Sequence, residues 1–156
     1  MTRLLGVDLG ERRIGLAVAD SETLVIRPLS TIRRSDEARD KKTLSHICGE
    51  QRIDEIVIGL PLNMDGSEGA QAAVTREWAA AVAAQVGKPV AWRDERLTSE
   101  NAEARIGRAR RGRAGGPPAA ATRNARRARV DREAAAAILQ AELDARAGDA
   151  QRTNDG

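Results

Sequence analysis

Two apolar runs near the start constrain this chain most: Leu4-Leu5-Gly6-Val7-Asp8-Leu9-Gly10 and Ile14-Gly15-Leu16-Ala17-Val18-Ala19-Asp20, separated only by Glu11-Arg12-Arg13. Such a pair reads as two antiparallel strands joined by a tight turn, each too apolar to face water on either side. The exception is Asp8. An acid near the end of a buried strand is costly to desolvate, so it either faces a cleft, paired or bound to a cation, or caps the turn by accepting backbone N–H groups.

Further along, Leu24, Ile26, Leu29 and Ile32 alternate loosely around Pro28, predicting a third strand from Thr23 to Ile32 at a sheet edge, where a missing N–H is tolerated. From Ser35-Asp36 to about Arg52 the period becomes helical, with Leu44, Ile47 and Cys48 on one stripe. Asp54 to Leu60 is a β-branched run expected to be buried on both faces. It ends at Pro61, and a loop through Gly69 leads to a helix from about Ala70 to Val86, whose N-terminal amides form an anion site and for which Ser67 is a candidate cap or phosphate contact. Lys88 to Arg93 predicts a fifth strand leading into Asp94-Glu95-Arg96-Leu97-Thr98-Ser99, after which Thr98 or Ser99 caps a short helix. A last, Ala-rich helix follows Val130-Asp131 and runs to about Ala147, with a polar, frayed tail from Gly148 to Gly156.

The order is three meandering strands, then strands with crossover helices. It predicts one α/β domain over residues 1–147 built on a five-stranded mixed sheet, an antiparallel meander followed by parallel strands, with helices on both faces. At 156 residues one such core is expected. With one histidine and one cysteine, His46 on the surface or in a second layer and Cys48 buried in a helix, an internal disulfide and multi-histidine or Cys/His zinc sites are excluded. No leader-like opening and no apolar run near 20 residues is found, so the expected location is the cytoplasm, away from membranes.

Charge is local rather than global. The net charge is +3, yet the segment Gly107 to Arg129 carries eight arginines and no acid, which leaves the remainder net acidic. Without large apolar residues that segment reads as a flexible basic arm suited to phosphates, or else as a merely solvated loop. No Phe or Tyr and only two Trp are present, so bases are not read by an aromatic stacking sheet.

If the first, fourth and fifth strands run parallel, Asp8 and Glu95 reach the same rim of the sheet, and Asp131 at a helix start can complete a group of three carboxylates. Such close acids need cations between them. All-oxygen ligation selects Mg²⁺ or Mn²⁺, and a pair of such ions suits phosphodiester hydrolysis.

Four segments carry a resemblance. Asp8-Leu9-Gly10-Glu11-Arg12-Arg13-Ile14-Gly15-Leu16-Ala17, Gly59-Leu60-Pro61-Leu62-Asn63-Met64-Asp65-Gly66-Ser67, Asp94-Glu95-Arg96-Leu97-Thr98-Ser99 and Val130-Asp131 with Ile138-Leu139-Gln140 together resemble the YqgF/RuvX family, in the same order and from Met1 to about Arg146. The resemblance implies an RNase H-like fold related to the Holliday junction resolvase RuvC. It also implies a nuclease maturing the 5′ end of pre-16S rRNA in ribosome biogenesis, some members being assigned instead to junction resolution in DNA recombination. Its acids fall on Asp8, Glu95 and Asp131, catalytic and metal-holding alike, with Asp94 ranked below Glu95. Substrate contacts are expected at Arg12, Arg13, Asn63, Ser67, Arg96, Arg110, Arg111, Arg126 and Arg127. The implied partners are structured RNA or branched DNA, bound by a monomer or homodimer. One departure is the length of the arm from Gly112 to Arg126, extended by Gly115-Gly116-Pro117-Pro118. Two other classes fit parts of the pattern: an ATP-using actin-like domain, which needs a second phosphate loop that is missing, and a catalytically silent RNA-binding assembly factor.

Overall fold

The computed structural model describes residues 2–94 and 133–149. Five strands, β1 (Arg3–Leu9), β2 (Arg13–Asp20), β3 (Ile26–Arg33), β4 (Glu55–Leu60) and β5 (Val90–Asp94), form one sheet in the order β3-β2-β1-β4-β5. Pairing is antiparallel from β3 through β2 to β1 and parallel from β1 through β4 to β5. The carboxyl ends of β1, β4 and β5 therefore share one rim, as expected from the chain order.

Helix α1 (Glu37–Glu50) begins where the Asp36 carboxylate accepts the Arg39 N–H, an N-cap that satisfies one orphan donor. Inside it, the buried Asp40 carboxylate accepts the Ser35 N–H at 3.0 Å. Helix α2 (Ala70–Val86) ends at Gly87, whose φ of 73° supplies the left-handed cap that residues with a Cβ adopt at a cost. Its start differs from expectation. The cap position is Gly69, with no side-chain bond, and Ser67 does not serve. Instead Ser67 is held in the preceding loop, its N–H and hydroxyl both donating to Asp65 Oδ1 and its Oγ accepting from Asn63. A third helix, α3, covers residues 133–149, two residues beyond the expected end.

The pleat sends alternate β1 residues to opposite faces. Leu5, Val7 and Leu9 join Ile14, Leu16, Leu44, Ile56, Ile58, Trp78 and Val82 beneath α1 and α2. Leu4 joins Ala17, Ala19, Val57, Ala135, Ile138 and Leu139 beneath α3. Helices thus cover both faces. On the α3 side the approach is close: a Cβ at Gly6 would lie 2.7 Å from the Ala135 carbonyl oxygen and 2.7 Å from Leu139 Cγ, so only glycine fits there. At the edge, β3 bulges opposite Leu16 and Ala17, accommodating Pro28. Among the described residues no helix is long and apolar enough to cross a membrane.

Candidate active site

Asp8 is the penultimate residue of the central strand. It pairs with Gly15 and shares the face of Leu4 and Gly6, the side covered by α3. Its residue exposure is 7%, and its Oδ1 has no hydrogen-bond partner among the described residues. The turn beside it is closed without it. The Gly10 N–H donates to the Arg13 carbonyl at 2.9 Å, and the Arg34 guanidinium donates to the Gly10 carbonyl at 2.9 Å. Of the two readings of Asp8, the turn cap is therefore set aside. A buried carboxylate oxygen left unsatisfied costs a few kcal/mol, which a hard cation would offset.

The direction of α3 follows from its contacts. Arg146 bonds Glu55, the first residue of β4, and also donates to Glu142 at 2.8 Å, while Ala135 lies against Gly6 further along β1. The helix therefore runs antiparallel to β1, its amino-terminal part toward the rim that carries Asp8. Glu142 is buried and also accepts from Arg93 Nε at 2.5 Å. Burial works to raise its carboxyl, but the hydrogen bonds and charges of Arg146 and Arg93 outweigh it and hold the group below the ordinary carboxylate range. This network, Glu55–Arg146–Glu142–Arg93, locks α3 onto β4 and β5. Sequence reasoning missed it. Its one local signal was the i,i+4 spacing of Glu142 and Arg146.

Strand parity also separates the two neighbouring acids at the end of β5. Ala91 and Arg93 face α3, whereas Val90 and Trp92 pack toward α1 and α2. Asp94, the next alternate position after Trp92, falls on the side opposite Asp8. Among the described residues no group of three potential ligands is assembled to hold a metal. Glu95 and Asp131, and with them Arg96, Arg110, Arg111, Arg126 and Arg127, lie outside the described residues. Arg12 and Arg13 sit at the β1–β2 turn, exposed and half-buried respectively. Asn63 and Ser67 bond each other within the loop that leaves the carboxyl end of β4.

The family model for RuvX, described as Holliday junction resolvase, matches residues 2–145. The chain belongs to the RuvX family. A relative from Anaeromyxobacter sp., provisionally named a pre-16S rRNA nuclease, is 45% identical over 145 residues, covering 93% of this chain and 98% of its own. A relative from Synechococcus elongatus under the same provisional name is 41% identical, with 90% of this chain and 87% of the relative covered. Among solved structures, T. thermophilus RuvC in complex with a Holliday junction substrate aligns with a TM-score of 0.58 at 18% identity, over 95% of this chain and 97% of that one. The fold is thus that of RuvC, RNase H-like, as the RuvX motifs implied.

Proposed function

We propose that the chain is a metal-dependent nuclease that hydrolyses phosphodiester bonds in the cytoplasm, acting on the 5′ end of pre-16S rRNA. The observation that carries this reading is the buried carboxylate of Asp8 at the carboxyl end of the central strand, whose Oδ1 has no hydrogen-bond partner among the described residues. Its relatives' names supply the substrate class. Asp8, Glu95 and Asp131 are assigned as the acids that hold Mg²⁺ or Mn²⁺, two ions in all. The donor set fits hard cations, because it offers carboxylate oxygen and neither thiolate nor imidazole. Bound divalent ions supply an activated water and neutralise charge on the leaving oxygen.

The chain's own residues do the rest. Asp8 fixes one ligand on a strand held by neighbours on both sides, so its position is set by the sheet and not by a loop. Glu95 is preferred over Asp94 because Asp94 faces away from Asp8. The family description favours a second reading, resolution of four-way DNA junctions. A cleavage assay with Mn²⁺ or Mg²⁺ on a precursor rRNA fragment and a four-way junction, run in parallel, decides between the two. In either case Asp8→Asn is expected to lower the rate at least about a thousand-fold, on the scale of one strong transition-state contact. Full activity in that variant would discard the mechanism.

A further inference from the structure

Strand register places Arg13 directly opposite Arg33, one pleat beyond the row formed by Asp8, Gly15 and Thr31 on the same face. Like charges directly opposite across antiparallel strands repel. Among the described residues, the side chains of Arg12, Arg13 and Arg33 have neither an acidic partner nor a hydrogen bond to relieve this. Nearby, Arg34 ties the structure together, its guanidinium donating to the Gly10 carbonyl and its backbone N–H to the Arg12 carbonyl at 2.8 Å. The β1–β2 turn is thereby fixed against the end of β3, with two arginines side by side and a third at the turn.

Between Asp8 and this pair the row is buried at Gly15 and half-buried at Thr31, whereas Arg13 is half-buried and Arg33 exposed at the sheet edge. An unrelieved pair of guanidiniums that reaches water suits phosphate oxygens, which guanidiniums bind bidentately. Adjacent strands lie about 4.8 Å apart, so β3 is roughly 10 Å from β1, a distance of a few nucleotides.

We propose that the nucleic-acid strand leaving the cleavage position crosses β2 toward the edge strand β3, its phosphates held by Arg13 and Arg33, with Arg34 as a positioning residue for the turn. The proposal rests on the nuclease reading and adds to it a path and a residue, Arg33, that the sequence did not single out. Arg27 provides an internal control. It is exposed on the same strand but pairs with Val18, which faces α1 and α2.

The test is a salt titration of binding by fluorescence anisotropy, using a labelled single-stranded RNA from the precursor and the full chain. Each lost phosphate contact lowers the slope of log K against log salt by about 0.7 for a single strand. Arg33→Gln is expected to lower the slope by about that amount, Arg13→Gln with Arg33→Gln by about twice it, and Arg27→Gln not at all. In cleavage assays the Arg33 variant raises KM. Thermal melts of each variant exclude unfolding as the cause, and Arg33→Lys, which keeps the charge, restores most of the slope. Equal slopes for the Arg33 and Arg27 variants would overturn the path even if the wild type cleaves. Conversely, slopes that fall as expected in a chain that never cleaves would support the path and defeat the nuclease reading.

Discussion

The two faces of the sheet solve opposite problems. Beneath α1 and α2 the contacts are large and apolar, Leu, Ile and Trp filling a wide space. Beneath α3 small residues, Gly6, Ala17, Ala19 and Ala135, are set among Leu4, Val57, Ile138 and Leu139, and the helix comes so near that its backbone touches the strand. The same face holds Asp8, the Arg13–Arg33 pair and the buried carboxylate of Glu142. Both faces supply apolar burial. The α3 face adds the close approach of a helix backbone and the paired charges of Glu142 and Arg93.

The comparison breaks most visibly under volume changes of opposite sign. On the α1–α2 side Ile58→Ala opens a cavity and is expected to cost about 2–5 kcal/mol. On the α3 side enlargement does the harm: Gly6→Val forces the Ala135 carbonyl away from β1 and is expected to cost at least about 3 kcal/mol. Urea denaturation measures both. A Gly6→Val variant as stable as wild type would mean that α3 does not sit on β1. Asp8→Asn has the contrary sign. Replacing a buried carboxyl group whose Oδ1 has no partner among the described residues with an amide is expected to raise stability by roughly 1 kcal/mol in metal-free buffer while activity falls.

Next in size is the Glu142 network. Removing the acid as Glu142→Gln leaves Arg93 and Arg146 without their shared counter-charge. The expected cost is about 2–3 kcal/mol, less than for a fully buried pair because each arginine side chain keeps 34% of its surface in water. Because the folded carboxyl titrates below its unfolded value of 4.5, its contribution is present above that pH and disappears as pH falls through the folded value. Chemical denaturation at pH 7 and pH 3 is therefore expected to show the wild type losing more stability than Glu142→Gln. Parallel pH profiles would show that the network contributes nothing.

The larger outline of both faces was legible in the sequence. Apolar and β-branched runs marked the central strands, loose alternation around Pro28 marked β3 as an edge, and one acid in an apolar run marked Asp8, because each of these signals is local. What stayed hidden depends on distant parts of the chain. Arg93 and Glu142 are 49 positions apart, and nothing in either neighbourhood announces the other. Arg33 gains its meaning only from a register across β2 that also includes a bulge. Ser67 failed as a cap for a local reason: Asp65, two residues before it, captures its hydroxyl and N–H first, the competition that short polar side chains offer to helix starts.

The smallest expected effect comes from the exposed counterpart of the Glu142 network. Arg76 donates to Glu68 Oε1 at 2.5 Å and lies 4.9 Å from the centre of the Trp92 ring, on the α1–α2 side. The hydrogen bond from Arg76, with its charge, holds the Glu68 carboxyl below the ordinary range against a small opposing effect of burial. Both side chains, however, keep nearly half of their surface in water, where ion pairs are weak and the Debye length falls to about 3 Å at 1 M salt. Glu68→Gln is thus expected to move Tm several-fold less than Glu142→Gln, and the shift should vanish at 1 M NaCl while that of Glu142→Gln persists. If the two variants respond alike to salt, the contrast between a solvated pair on one face and a shielded one on the other does not hold, and α3 must sit farther from the sheet than its contacts at Gly6 and Arg93 require.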